Sequence, residues 1–153
     1  METKLRPGSE LTVFKYHRSK ATFHELNGYD VVITTYGAVA SEMTRLDQCM
    51  GGDNGLKDGG TLSERFPLLG PQSLWYRVIL DEAHLIKDNK TKNAKAAYRL
   101  ESEYRWCLSG TPMMNSVTEL SSLVTFLRIK PYCAADMFYE VSWQAKLRQC
   151  SLN

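Results

Sequence analysis

The stretch from Trp75 to His84, WYRVILDEAH, decides the fold expected for this sequence. Its first six residues are aromatic, β-branched or otherwise strand-compatible, which predicts a β-strand. Two acids, Asp81 and Glu82, follow at the end of that strand. Because ligands bind beyond the carboxyl ends of the strands in open α/β sheets, we expect both acids at a ligand-binding edge.

Strands and helices alternate along the rest of the chain. Further strands are predicted at Leu11–Tyr16, Tyr29–Tyr36 and Tyr104–Ser109. The β-branched run in the second of these is typical of a strand that is buried on both faces. A short helix is predicted from Ala38 to Arg45. This alternation indicates an α/β fold in which a parallel sheet is flanked by helices.

Two later helices are predicted from their boundary residues. Thr91 is a candidate cap for a helix that runs to about Ser102, with one face formed by Ala94, Ala97 and Tyr98. Ser116 and Glu119 form the S-x-x-E capping box of the next helix. Its predicted apolar stripe is Leu120, Leu123, Val124 and Leu127. This helix is expected to stop by Lys130, since a proline follows.

Composition favours one soluble domain. The chain has 153 residues, of which 43% are hydrophobic and 24% are charged, so global disorder is not expected. The net charge of +2 is too small to identify a nucleic-acid binder. The start of the chain is polar, and no run has the length of a membrane span, so we expect an intracellular protein with no membrane partner.

Cysteines and glycines give weaker signals. The cysteines have no C-x-x-C spacing and are interpreted as ordinary thiols of a reducing compartment; they are Cys49, Cys107, Cys133 and Cys150. The stretch from Cys49 to Gly60 contains five glycines and predicts a flexible surface insertion. A phosphate cradle is the sharper alternative, but no G-K-[ST] follows these glycines.

The acid pair suits nucleotide hydrolysis. One carboxylate can hold Mg²⁺ through water, because this ion prefers oxygen ligands and keeps much of its hydration. The other can orient the attacking water. His84 follows closely enough to report the state of such a site. The alternative is that the acids only favour a helix N-terminus and that the histidine is structural. A metal hydrolase that uses Glu82 and His84 is a weaker hypothesis, because H-E-x-x-H is missing.

A second segment, Leu108–Pro112 (LSGTP), follows the next predicted strand and is therefore expected at the same edge of the sheet. Alone it is an ordinary turn. When the LSGTP segment follows D-E-A-H in this order and at this separation, the pair of motifs is a highly specific signal. The chain resembles superfamily-two helicase-like ATPases of the Swi/Snf type, in the branch that contains helicase-like transcription factor. YDVVITTY at 29–36 resembles motif Ib, VILDEAH motif II and LSGTP motif III.

The resemblance implies roles for individual residues. Asp81 would coordinate Mg²⁺ and Glu82 would position the lytic water. Four residues would couple the state of ATP to the grip on DNA: His84, Ser109, Gly110 and Thr111. Three residues at the end of a strand would face the DNA backbone, which hydroxyls contact without discriminating sequence: Thr34, Thr35 and Tyr36. Simple filling of a β-strand is the alternative for the threonines.

The resemblance also implies a partial first RecA-like lobe over residues 1–153, with motifs Ib, II and III and an insertion at about 49–60. It lacks the strand of the phosphate-binding loop. The complete protein would use ATP and Mg²⁺, act with a second RecA-like lobe on double-stranded DNA or nucleosomes, and work in the nucleus in chromatin remodelling or DNA repair.

Two departures from the family pattern matter. The G-x-x-x-x-G-K-[ST] loop is absent, and Met114 stands where the family commonly has Gln. The isolated chain is therefore expected to be inactive and, with an unpaired strand edge, prone to associate. The alternative function is a truncated or degenerate, non-catalytic interaction module.

Overall fold

The computed structural model describes residues 10–17, 21–51, 62–110 and 117–131. They belong to two compact units, Met1–Ser73 and Leu74–Asn153. Each unit contains a pair of parallel strands joined through helical segments, so the predicted α/β class with parallel strands flanked by helices is confirmed. The described strands form two separate two-stranded ladders.

The first unit has the order β1 (Val13–Lys15), α1 (Phe23–Leu26), β2 (Val31–Ile33), α2 (Tyr36–Gly51) and α3 (Leu62–Arg65). Strands β1 and β2 are parallel, with Val13 opposite Val31 and Lys15 opposite Ile33. The core of this unit is formed by apolar side chains of several of these elements: Tyr16, Leu26, Val39, Ala40, Met43, Leu46, Phe66 and Leu68.

Local hydrogen bonds explain where the first elements begin. The Oδ2 atom of Asp30 accepts from the N–H and the hydroxyl of Thr12, at 2.8 and 2.7 Å, and the Asp30 N–H donates to Thr12 Oγ1. This reciprocal pair aligns the starts of β1 and β2. Helix α1 begins with a capping box between Thr22 and Glu25. The two residues form the T-x-x-E pattern of such a box in the sequence.

Two expectations for the first unit were wrong. The strand at Tyr29–Tyr36 has only three ladder residues and is not buried on both faces, since Val31 is 37% and Ile33 is 52% exposed. A ladder of two strands leaves much of its surface uncovered, whatever its composition. The helix predicted at Ala38–Arg45 runs from Tyr36 to Gly51, so Cys49–Gly51 is helical instead of loop. No glycine or proline interrupts the helix between Gly37, at its start, and Gly51, its last residue. Residues 52–60 of the predicted insertion lie outside the described residues.

The second unit has the order β3 (Leu74–Leu80), a 3₁₀ turn (Ala83–Ile86), α4 (Lys92–Arg99), β4 (Glu101–Cys107) and α5 (Val117–Leu127). Strands β3 and β4 are parallel over their whole length. Helix α5 packs against α4, β4 and the 3₁₀ turn. The core lies between these elements and is formed by Leu80, Ala83, Ile86, Ala94, Ala96, Ala97, Leu100, Leu123 and Phe126.

The predicted N-cap of α4 is confirmed, because Thr91 Oγ1 accepts from the Ala94 N–H at 3.2 Å. The predicted end at Ser102 is wrong. Leu100 is already extended, and β4 starts at Glu101 instead of Tyr104. Strand pairing with Leu74 and Trp75 draws Glu101 and Ser102 into β4, although both residues have a weak intrinsic preference for strands.

The predicted apolar stripe of α5 is displaced. Leu120 is 37% exposed, whereas Ser121, Ser122, Leu123 and Phe126 are buried. Apolar character alone therefore misplaced the buried face, because two serines belong to it. The helix ends at Leu127, consistent with the predicted stop, and Arg128 takes a left-handed conformation with φ of 54°. Ser116 lies outside the described residues.

Candidate active site

The ends of β3 and β4 meet through backbone hydrogen bonds. Leu80 lies opposite Cys107 in the parallel register. Beyond that pair, the Leu108 N–H donates to the Leu80 carbonyl at 2.8 Å, and the Ala83 N–H donates to the Leu108 carbonyl at 2.9 Å. Leu108 thus connects both sides of the acid pair. Asp81 and Glu82 lie at the same edge of the β3–β4 sheet as Ser109 and Gly110.

The backbone turns sharply at the acids. Glu82 adopts a left-handed conformation, with φ of 48° and ψ of 50°. Such a conformation costs a non-glycine residue about 1–2 kcal/mol and tends to persist at functional sites. The Glu82 N–H donates to Asp81 Oδ1 at 3.0 Å. The turn ends the strand and starts the 3₁₀ turn within two residues, and both acids remain exposed.

Glu82 and His84 lie next to each other. Glu82 Oε2 is 3.1 Å from His84 Nδ1, and the side chains are 65% and 38% exposed. The contact is an ion pair only when the imidazole is protonated. Nδ1 is itself buried and makes no hydrogen bond to the described residues, so the approach is close without hydrogen-bond geometry. His84 thus lies directly beside the Glu82 carboxylate.

The 3₁₀ turn behind the acids is firmly packed. Ala83 and Ile86 are fully buried. The Leu85 N–H donates to the Glu82 carbonyl, and the Lys87 N–H donates to the His84 carbonyl. The acids are therefore exposed groups on a rigid support, which is the arrangement that positioning and electrostatic catalysis require.

The predicted coupling residues are only partly described. Ser109 is half-buried and Gly110 is exposed, both at the end of β4. A Cβ atom built on Gly110 would meet nothing within 4 Å, so this conformation does not itself require glycine there. Thr111, Pro112 and Met114 lie outside the described residues.

The predicted DNA-contacting residues belong to the first unit, where they join β2 to α2. Thr35 is exposed, and its hydroxyl oxygen accepts from the Ala38 N–H at 3.2 Å, which helps to cap α2. Thr34 Oγ1 is buried without a hydrogen-bond partner among the described residues. Tyr36 is the first residue of α2. In this conformation, Thr35 is the threonine whose side chain is open to a ligand.

The acid pair fits a magnesium ion that keeps most of its water. Among residues 10–17, 21–51, 62–110 and 117–131, no group of three or more histidines, cysteines, aspartates and glutamates could hold a metal. A single carboxylate such as that of Asp81 suffices for Mg²⁺, which is usually held by one or two carboxylates together with substrate phosphates. Within the same ranges, none of the helices is both long and apolar enough to span a membrane.

Parallel strands, flanking helices and acids at the carboxyl edge define part of a RecA-like ATPase core fold. The SWI2/SNF2 ATPase core of Sulfolobus solfataricus, solved in complex with double-stranded DNA, matches 78% of this chain with a TM-score of 0.51 and 30% identity. The match covers 20% of that chain. The model of the SNF2-related domain matches residues 4–149. The chain belongs to this SNF2-related family.

Curated relatives agree with that assignment. An uncharacterized ATP-dependent helicase of Schizosaccharomyces pombe is 44% identical over 133 residues, or 85% of this chain and 12% of that protein. The DNA repair protein RAD5A of Arabidopsis thaliana is 37% identical over 86% of this chain and 11% of its own length. Helicase-like transcription factor CHR27 of the same plant is 33% identical over 91% of this chain and 17% of its own length. The chain thus spans a small part of each relative.

The sequence did not reveal how the acid turn is fixed to α5. Ser122, which is buried, donates from Oγ to the Lys87 carbonyl at 2.8 Å. The available signal was Ser121-Ser122 inside an otherwise apolar helix, a pattern that indicates close packing or a buried hydrogen bond.

Proposed function

We propose that this chain is part of an ATP-driven motor that moves along double-stranded DNA. The observation that carries the proposal is the junction at Leu108, which hydrogen-bonds to Leu80 and Ala83 on both sides of the acid pair. Through this junction, a conformational change in the S-G-T-P segment is transmitted directly to Asp81 and Glu82. The match to a core solved with double-stranded DNA, and relatives named as DNA repair proteins, support the choice of substrate.

The proposed chemistry assigns one task to each acid. Asp81 would hold Mg²⁺ through water, and the ion would supply positive charge beside the nucleotide phosphates. Glu82, exposed on a rigid turn, orients the attacking water. His84 senses the Glu82 carboxylate beside it. Ser109, Gly110 and Thr111 transmit the state of the nucleotide toward DNA.

The proposed DNA contacts are made in the first unit. Thr35 presents an exposed hydroxyl at the start of α2, next to Thr34 and Tyr36. Hydroxyls and helix N-termini bind phosphate without discriminating sequence, which suits a motor that must move along any DNA. We place the complete protein in the nucleus, acting on DNA or nucleosomes in repair or chromatin remodelling, together with a second RecA-like lobe.

The decisive experiment is DNA-stimulated ATP hydrolysis by the complete protein that contains this chain. Glu82→Gln removes the carboxylate and keeps the size of the side chain, and turnover should fall at least about a hundredfold. Asp81→Asn should weaken the dependence on Mg²⁺. Glu103→Gln, an exposed acid on β4, is the control and should leave turnover unchanged. Unaltered turnover in Glu82→Gln would refute the role of that residue.

The isolated chain is proposed to be a non-catalytic module. Its sequence contains no G-x-x-x-x-G-K-[ST] loop, whose backbone and lysine would hold the nucleotide phosphates. Calorimetry of the 153-residue chain with Mg-ATP tests this proposal. Heats no larger than those of dilution are expected, and micromolar binding would contradict it.

A further inference from the structure

Helix α5 makes a second attachment to the acid turn, separate from the one made through Leu108. The Lys87 peptide is the point of attachment, because its N–H donates to the His84 carbonyl at 3.1 Å and its carbonyl accepts from Ser122 Oγ at 2.8 Å. His84 is thereby connected through Lys87 to Ser122 by consecutive hydrogen bonds. Since Ser122 is only 2% exposed, water does not readily replace its hydroxyl.

A second helix fixes Ser122 in turn. The Tyr98 hydroxyl of α4 donates to the Ser122 carbonyl at 3.3 Å. Burial raises the pKa of Tyr98, so its hydroxyl keeps the proton that this bond needs. Lys87 Nζ also lies 3.9 Å from Glu119 Oε1, one turn earlier on α5. The backbone of Ser122 is thus fixed to α4, while its hydroxyl is held by its own bond to the Lys87 carbonyl.

These contacts reach the acid turn along two separate paths. From Glu82, one path leads through Ala83 and the Leu108 carbonyl to the end of β4. The other leads through His84 and Lys87 to Ser122 on α5. The S-G-T-P turn is the chain connection between β4 and α5.

We propose that Ser122 is a positioning residue that fixes the 3₁₀ turn, and through it Glu82 and His84, against α5. This inference rests on the proposed ATPase function for its catalytic consequence, whereas its structural part is independent of activity. Ser122 does not reach the reacting atoms itself. Its effect on catalysis arises from holding the Lys87 carbonyl, and it is distinct from the coupling attributed to His84 and the S-G-T-P turn.

The structural part is tested by amide hydrogen exchange in the 153-residue chain. In Ser122→Ala, protection of the Leu85 and Lys87 amides should fall about tenfold, the effect of losing one buried hydrogen bond. Protection of β4 amides should stay the same. The matched control is Ser121→Ala, which removes an equally small, buried hydroxyl from the neighbouring position of α5. Equal protection of the 3₁₀ turn in both variants would overturn the inference.

Two further variants guard against general damage. Ser122→Thr keeps the hydroxyl and should retain protection of the 3₁₀ turn. Tyr98→Phe removes only the hydroxyl that donates to the Ser122 carbonyl and should give an intermediate loss of protection at the Lys87 amide. It serves as the test variant where Ser122→Ala does not fold. Loss of protection spread evenly over β4 and the 3₁₀ turn would indicate a purely structural role and overturn the inference.

The catalytic consequence is measured in the complete protein by DNA-stimulated ATP hydrolysis. Ser122→Ala should lower kcat about tenfold and change the KM for ATP less than about twofold, because one misplaced catalytic group slows chemistry more than binding. Ser121→Ala should match the unmodified protein, and Ser122→Thr should restore kcat. If Glu82→Gln left turnover unaltered, the proposed function would fail, and hydrogen exchange would still decide the role of Ser122. If Ser122→Ala and Ser121→Ala changed kcat and KM by the same amounts, the inference about Ser122 would be overturned.

Discussion

Glu42 lies inside helix α2 of the first unit and Glu82 lies in the turn after β3 of the second, and the two carboxylates have opposite surroundings. Glu42 is fully buried, and its Oε1 accepts from the N–H groups of Leu68 and Leu69 at 2.7 and 2.9 Å. The Glu82 side chain is 65% exposed. The first carboxylate replaces a missing backbone partner, and the second stays available for a ligand. Exposure on a rigid turn, rather than the acid itself, distinguishes a candidate catalytic group.

The surroundings of Glu42 explain its protonation behaviour. Burial raises the pKa of Glu42, and this effect outweighs the opposing N–H groups of Leu69 and Leu68 and the positive charge of Arg45. Burial, followed by the neighbouring Glu42 charge, also raises the pKa of Tyr16. A carboxylate in this position costs desolvation energy, and it persists because it satisfies two backbone donors.

The largest effect on stability is expected for Glu42→Ala. The buried N–H of Leu68 and the part-buried N–H of Leu69 would lose their acceptor, and unsatisfied donors cost roughly 3 kcal/mol together. Urea unfolding of the chain and exchange of these two amides measure the loss. Asp81→Ala, at an exposed acid of the second unit, should change stability by less than about 0.5 kcal/mol. Similar losses in both variants would remove the contrast between the buried and the exposed acids.

The second unit contains a half-buried charge, that of Arg105, which bonds backbone carbonyls. The Arg105 guanidinium donates to the carbonyls of Leu100 and Phe126 and lies 5.0 Å from the centre of the Phe126 ring. Burial lowers the pKa of Arg105. Arg105→Leu should cost roughly 2 kcal/mol, since hydrogen bonds of a charged group are lost from two carbonyls.

Arg105→Lys is the matched control, because it keeps the charge but cannot donate as a planar fork to two acceptors. Urea unfolding should place it between the leucine variant and the unmodified chain. A lysine variant as stable as the unmodified chain would show that charge alone matters at this position.

Glu42→Gln should change the pH dependence of stability more than stability itself. The amide keeps an acceptor oxygen for Leu68 and Leu69 but has no charge to desolvate. Because the pKa of Glu42 is raised in the folded state, its favourable contribution is complete below its unfolded pKa and is lost as pH rises through the folded value. Glu42→Gln should therefore lack this fall, with a difference smaller than that of Glu42→Ala. Unfolding midpoints measured across the acidic to neutral range test this, and identical slopes would contradict it.

The sequence predicted what depends on local pattern. The parallel α/β class, the strand before Asp81 and the cap at Thr91 followed from alternation and boundary residues. The left-handed backbone of Glu82 and the Leu108 junction did not, because both arise when two strands pair. Parallel topology predicts that the acids lie close to the start of S-G-T-P. It does not predict the hydrogen bonds by which Leu108 joins the two.

Long-range hydrogen bonding accounts for the other elements that the sequence did not predict. In the sequence, Glu42 is one polar position on a predicted helix. It is buried because it accepts a hydrogen bond from Leu68, which lies 26 residues away in the chain. The role of Ser122 could not be predicted for the same reason, since its partner is a carbonyl 35 residues away. Such groups follow neither helical nor strand periodicity, so a pattern based on hydrophobicity cannot find them.

The smallest effect on stability is expected for the exposed ion pair between Arg128 and Glu101. The guanidinium donates to both carboxylate oxygens, at 2.8 and 2.7 Å. These bonds, more than the charge, lower the pKa of Glu101, so its contribution is present above the unfolded pKa and is lost as pH falls through the folded value. Both side chains are about half exposed, and solvent screening limits the pair to about 0.5 kcal/mol.

Two substitutions at Arg128 separate this ion pair from the backbone. Arg128→Ala loses the pair and keeps the unfavourable left-handed φ of 54°, whereas Arg128→Gly loses the pair but relieves the backbone. Glycine should therefore be more stable than alanine by about 1 kcal/mol, and the advantage should not change with salt or pH. Only the difference between the unmodified chain and the alanine variant should shrink in high salt, because exposed charges are screened. If alanine and glycine gave equal urea midpoints, the left-handed end of α5 would not limit stability, and the ion pair alone would account for the choice of arginine.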